Sequence, residues 1–184
     1  MAILKIARMG HAVLSEPAKP VAEPSSPEII RLVRDMVETM EDAPGTGLAA
    51  PQVHVSLRVV VFKVMPDRLS ETPGDEPQPL TFLINPVIEP LTEETALGWE
   101  GCLSAPPLRG VVPRATRVRF KGLLLDGRPV EGETSGFQAR ILQHEVDHLD
   151  GVVYLDRMTD LSTLGYDEEL EAAARAATDS GANL

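Results

Sequence analysis

The residues best suited to chemistry lie in the stretch Gln143-His144-Glu145-Val146-Asp147-His148. It contains His-Glu-x-x-His, with two imidazoles four residues apart. On an α-helix that spacing stacks both rings on one face, close enough to share a metal ion. Glu145, beside the first histidine, can then carry protons over the metal instead of ligating it. The pattern is rare by chance in a chain of 184 residues with four His. A satisfied surface or core histidine pair is the bland alternative.

A third donor is available in Trp99-Glu100-Gly101-Cys102-Leu103-Ser104, which holds the chain's one cysteine. Cys, His and His make three protein ligands, one short of the closed set of four in a structural zinc site. The remaining position leaves room for water, whose pKa a divalent metal lowers towards neutrality. Cys102 can also be read as a thiolate nucleophile paired with a histidine, or as an inert buried thiol. The ligand reading is preferred because His-Glu-x-x-His already gives both histidines a metal role. A second unusual stretch is Gly45-Thr46-Gly47-Leu48-Ala49-Ala50-Pro51-Gln52. Its two glycines permit close approach by a ligand, and the Gln52 amide is a donor that needs no proton bookkeeping near a metal. A tight turn with small-residue packing competes with that reading. A phosphate-cradling loop does not fit, for want of a Gly-Lys-Ser/Thr run and a preceding strand.

Elements must position these residues. Phe137, Ile141, Leu142 and Leu149 recur at helical spacing, with Ser135 as N-cap and Gly151 as terminator, and predict a helix through the motif. Ser26-Pro27 opens a second helix, in which Ile29, Leu32, Val33, Met36, Val37 and Met40 form an apolar stripe opposite Arg31, Arg34, Asp35, Glu38 and Glu41. Leu57–Val64 is a β-branched run and predicts a strand. Two further strands, Leu80–Ile84 and Val87–Leu91, are expected around an Asn85-Pro86 turn. Another runs over Arg117–Leu125 and returns near Pro129–Glu133 through Asp126-Gly127, a hairpin signal. Ile3-Leu4-Lys5-Ile6 reads as a short edge strand, 66–79 as an exposed loop, and 167–177 as a short C-terminal helix with fraying residues beyond. Strands first and a helix packed late on them define an α+β layout, not alternating βαβ units.

Composition narrows the function. With 43% hydrophobic residues the chain can build one core, mainly from aliphatic side chains because only 4% are aromatic. A formal charge of −11 argues against a phosphate-backbone ligand, since a nucleic-acid binder usually shows a basic face, and no sequence-specific nucleic-acid partner is expected. No run resembles a transmembrane span or a secretory leader, so no membrane partner is expected. A lone cysteine fits a reducing compartment, and a cytoplasmic location is expected.

The stretches Gly45-x-Gly47-Leu48-Ala49-Ala50-x-Gln52, Glu100-Gly101-Cys102-Leu103-Ser104 and Gln143-His144-Glu145-x-Asp147-His148 resemble, in order and spacing, the three motifs of the peptide deformylases. Pro113-Arg114 and the run from Gly136 to Met158 fit too, so the resemblance spans nearly the whole chain and implies one catalytic domain over 1–184. It implies a fold of antiparallel sheets packed around the motif helix. The implied reaction removes the N-formyl group from the formyl-methionine of newly made polypeptides, releasing formate. One divalent ion is implied, ferrous iron in the cell, with zinc, nickel or cobalt also able to occupy the site. Cys102, His144 and His148 match its ligands and Glu145 the general acid/base. The Gln52 side chain and the Leu103 backbone N–H match the oxyanion donors. Thr46, Gly47, Glu100 and Gly101 match residues along the extended substrate, with strand-like pairing at Thr46, Gly47 and Gly101. Phe137 and Ile141 are expected in the methionine pocket. Arg109 and Arg114 line up with family arginines near the groove, an ordinary surface role being equally open. The partners implied are N-formyl-methionyl nascent peptides and, through the C-terminal helix, the ribosome.

Three departures from the pattern are Pro51 before Gln52, the extra proline in Ala105-Pro106-Pro107-Leu108, and Met9-Gly10-His11 in place of a proline-containing start. Two rival classes remain at this point. A metallopeptidase would use the same helix, but a thiolate ligand is atypical and no downstream third-ligand motif follows. A non-catalytic metal module would need a fourth ligand, for which His11, His54 and Asp147 are the candidates.

Overall fold

The computed structural model describes residues 2–69 and 75–179. Its first helix, α1 (Pro27–Asp42), begins where Ser26 Oγ accepts the Ile29 N–H and proline occupies the first turn. Ile29, Val33, Met36 and Met40 form its buried stripe. They pack on a five-stranded antiparallel sheet built from β1 (Gly47–Ala49), β2 (Val59–Val64), β3 (Gln78–Pro90), β6 (Arg117–Leu123) and β7 (Pro129–Ser135), in the order β1-β2-β3-β6-β7. A second sheet holds β4 (Thr95–Gly101), β5 (Leu108–Ala115) and the two-residue β8 (Gly165–Tyr166), in the order β4-β5-β8. The motif helix α2 (Gly136–Leu149), one-turn α3 (Tyr154–Arg157) and α4 (Asp167–Asp179) complete the architecture.

The Val-Val-Val-Phe-Lys-Val run of β2 is apolar at consecutive positions because both faces of the sheet are covered there. Val59 and Val61 join the α1 side, whereas Val60, Phe62 and Val64 join the α2 side with Leu83, Ile141, Leu142 and Leu149. Each such buried side chain contributes roughly 1.5–3 kcal/mol relative to exposure. The motif helix is thereby fixed by its apolar face against the large sheet. Its other face carries the histidines towards the small sheet.

Several local expectations need correction. The segment 80–91 is not two strands around a turn. Residues 80–90 belong to one strand, β3, whose register against β6 slips between Ile84 and Val87. Asn85 absorbs the irregularity at φ 52°, and its carboxamide accepts the Val21 N–H at 2.8 Å and donates to the Val21 carbonyl at 2.9 Å. The β4–β5 hairpin escaped the sequence reading, since most of β4 is exposed and its alternation is weak. Residues 3–6 form no strand. Instead the segment 4–9 is tied down piecemeal, Leu4 N–H to Thr39 Oγ1, Ala7 N–H to the Gln52 carbonyl and Met9 N–H to the Ser104 carbonyl. Of the loop expected at 66–79, Pro66–Arg68 forms a 3-10 turn and Gln78 already belongs to β3, while 70–74 lie outside the described residues. Ser135 occupies the N-cap position of α2, but Asp75 Oδ2 accepts the Phe137 N–H at 3.0 Å. Gly136, at φ 58°, leaves the space that Asp75 fills, since a Cβ there would stand 2.4 Å from the Asp75 carboxyl carbon.

Candidate metal centre and substrate groove

His144 and His148 lie one turn apart on α2, with ring centroids 5.0 Å apart. Cys102, in the loop that follows β4, brings its Sγ to 3.2 Å from His148 Nε2. One ligand atom from each of Cys102, His144 and His148 falls within 4.8 Å of the others. Among the described residues no other group of three or more His, Cys, Asp or Glu could hold a metal in this way. Asp147 is not available as a fourth ligand, because Arg114 and Arg157 take its carboxylate. His11 and His54 pack edge to face with each other.

Charge at the site suits a divalent cation. Burial opposes ionisation of Cys102, but the His148 and His144 rings outweigh it and hold the thiol well below its usual range. The thiolate is the form that ligates metals. Gln52 Nε2 and the Ser104 N–H each approach the sulfur at 3.4 Å. Gln52 is oriented by its own loop, since its Oε1 accepts the Ala49 N–H at 2.8 Å and so turns the NH₂ towards the cleft. Pro51 causes no distortion here. It sits in the first turn of the 3-10 helix Ala50–Val53, where its missing N–H is not required.

Glu145 is 4% exposed. Burial pushes its carboxyl up to about 7 against the pull of the two imidazoles, and its Oε2 has no hydrogen-bond partner among the described residues. A carboxyl poised near neutrality can both take and return a proton. Gly47 lies directly against it, because a Cβ at residue 47 would stand 2.2 Å from Glu145 Oε1. The glycine is thus needed by the carboxylate itself, a reason the sequence did not disclose.

Behind the donors lies a buried ionic network. Glu100 Oε2 meets His144 Nδ1 at 2.9 Å, which leaves Nε2 free for an ion. Arg114 grips the same carboxylate with Nε at 2.9 Å and Nη2 at 3.0 Å, and Arg140 donates to it at 2.8 Å. Burial raises the Glu100 pKa, but His144 and Arg114 more than reverse this and hold it well below the usual carboxylate range. Glu100, expected along the substrate, does line the cavity, yet its carboxylate is committed to these three partners. Arg114 is only 5% exposed and bridges Glu100 to Asp147, so it has no surface role. Arg140 went unnoticed in the sequence, although it precedes His144 by one helical turn and so shares its face. It also donates to the carbonyls of Ala96 and Val112, fastening α2 to the small sheet.

A cleft of about 360 Å³ opens onto this centre. Its lining includes Thr46, Gly47, Gln52, Gly101, Cys102, Leu103, Phe137, Ile141, His144 and Glu145. Trp99, Leu108, Arg109 and Asp167 line it as well, and of these Asp167 had no place at the site in the sequence reading.

The α+β fold and this three-donor centre are those of a metallohydrolase. The polypeptide deformylase family model matches residues 3–163. Peptide deformylase 1 of Nitrosomonas europaea is 45% identical over 168 residues, covering 91% of this chain and 94% of its own length. Peptide deformylase 2 of Ralstonia nicotianae is 47% identical with the same coverage. Among solved structures, the Met-Ala-Ser-bound class I type b peptide deformylase of Acinetobacter baumannii superposes with a TM-score of 0.77 at 40% identity, covering 85% of this chain and all of its own. The Thermotoga maritima peptide deformylase gives a TM-score of 0.78 at 35% identity, covering 87% of this chain and all of that one. The chain belongs to the peptide deformylase family. It is an enzyme that removes the N-formyl group from nascent peptides, in a reaction dependent on a divalent metal.

Proposed function

We propose that residues 1–184 act as one catalytic domain in which Cys102, His144 and His148 hold a single divalent ion, ferrous in the cell. The observation that carries this reading is the convergence of their ligand atoms within 4.8 Å beside the buried, unpartnered Glu145 Oε2. When bound, the ion supplies a Lewis acid for the formyl carbonyl and lowers the pKa of water. Glu145 takes a proton from the attacking water and passes it to the leaving amine as the C–N bond breaks, so formate and a free N-terminus result. The Gln52 NH₂ and the Leu103 N–H donate to the oxyanion of the tetrahedral intermediate, a placement worth about 3 kcal/mol per donor. Glu100 orients His144, and Arg114 and Arg140 hold Glu100.

Substrate recognition follows from the sheet edges. β1 and β4 are each the terminal strand of a sheet, and both line the cleft. Thr46, Gly47 and Gly101 therefore offer backbone groups to an extended formyl-methionyl peptide, in the manner of an added strand. Phe137 and Ile141 supply the apolar wall for the methionine side chain. No helix among the described residues is long and apolar enough to cross a membrane, which agrees with a cytoplasmic site of action on nascent chains. A ribosome contact through α4 belongs to the same reading. With Asp167, Glu168 and Glu169 in its first turn, α4 would not make it by neutralising phosphates.

The test is formate release from formyl-Met-Ala-Ser by anaerobically purified protein, with elemental analysis of the same sample. We expect formate, about one equivalent of iron, and no cleavage of unformylated Met-Ala-Ser. Cleavage of the unformylated peptide without formate release from the formylated one would make the protein a peptidase instead.

A further inference from the structure

We infer that Asp167 sets the charge selectivity of the groove by masking Arg109, and so governs which downstream residues of the formyl-methionyl peptide are accepted. The inference rests on the deformylase reading and extends it to the outer end of the cleft. Arg109 lies opposite Gly101 in the β4–β5 ladder, next to the metal-ligand loop, and lines the cavity. Its Nη1 pairs with Asp167 Oδ1 at 2.8 Å, and its guanidinium lies 5.9 Å from the centre of the Trp99 ring. Both members of the pair are well exposed, at 37% and 42% of their side chains, so a peptide can reach them.

Asp167 is held in place by backbone and not by the ion pair alone. The β8 residues Gly165 and Tyr166 pair with Arg109 and Leu108, and the Asp167 N–H donates to the Pro107 carbonyl at 2.8 Å. Arg109 lies within the family match, which ends at residue 163, whereas Asp167 and the β8 residues that hold it lie beyond it. Arg109 lies opposite Gly101, the residue before Cys102, so on a peptide added as a strand there the residues that follow formyl-methionine would pass the lip. With Arg109 and Asp167 paired, the lip shows those residues no net charge. Removing either partner exposes the other.

The experiment compares kcat/KM for formyl-methionyl tetrapeptides carrying Glu or Lys at the second or the third position, in the wild type, Asp167→Asn, Arg109→Ala and the double variant. The Glu:Lys ratio cancels any general loss of activity and is not moved by a merely structural role. Exposed charge pairs are weak, so the ratio should rise about threefold in Asp167→Asn, fall about threefold in Arg109→Ala and return towards the wild-type value in the double variant. Both changes should shrink at 0.5 M salt. A ratio that stays put in both single variants, or moves the same way in both, overturns the inference and leaves the deformylase reading intact. Absence of formate release from every peptide by the wild type overturns both.

Discussion

The Glu145 carboxylate occupies the space where any side chain at residue 47 would point. Gly47→Ala would place a methyl 2.2 Å from Oε1, so the carboxylate must swing away. A base displaced by about 1 Å costs on the order of 100-fold in rate, so kcat should fall by at least about 10-fold while metal content persists. Steady-state kinetics with metal analysis checks this, and unchanged kcat would mean that the carboxylate is not the proton carrier. Glu100 bears on pH. Its folded-state pKa lies below the ordinary 4.5, so the stability it contributes is complete above that value and is lost as acid titrates it. Glu100→Gln should therefore be less stable than wild type at pH 7, with a melting temperature that falls less steeply below pH 4.5. Calorimetry across pH 3–7 reads the two slopes. At this scale the sequence anticipated which side chains converge, Cys102, His144 and His148 with Glu145 beside them, because Cys, His and Glu are types that chemistry dictates. Arg114 and Arg140 were not legible, since a guanidinium's usual place is the surface and only burial reveals these two as clamps.

Among the elements, α1, β2, the β6–β7 hairpin and the motif helix followed from periodicity, capping and turn residues. Asn85-Pro86 misled, because the same dipeptide that marks turns here serves a bulge within one long strand. What resolved it was a distant partner, the backbone of Val21, which no local pattern can announce. Asn85→Ala removes both hydrogen bonds to Val21 and places alanine at a left-handed φ of 52°. A loss of about 2 kcal/mol is expected, measurable as a lowered urea midpoint at unchanged slope. The β4–β5 hairpin was missed for a related reason. Leu97 and Trp99 are 70% and 47% exposed, so that strand lacks a clean apolar-in, polar-out alternation.

Over the whole molecule, the site exists only because two sheets meet at one helix. Cys102 comes from the end of β4 in the small sheet, Gln52 from the turn after β1 in the large one, and both histidines from α2 between them. Arg140 and the Glu100–Arg114–Asp147 chain tie the small sheet to α2, so the thiolate and the imidazoles keep their distance. That convergence is a property of topology. Spacing along the chain allowed it, and the family resemblance implied it, but neither periodicity nor composition could place Cys102 beside His148. The central claim is that this junction holds a metal with Glu145 as the proton carrier above it. Formate release by Glu145→Ala, purified anaerobically beside the wild type and with metal counted in both, tests it most directly. The variant should keep about one equivalent of metal and lose at least about 100-fold in kcat; full activity in that variant would contradict the account.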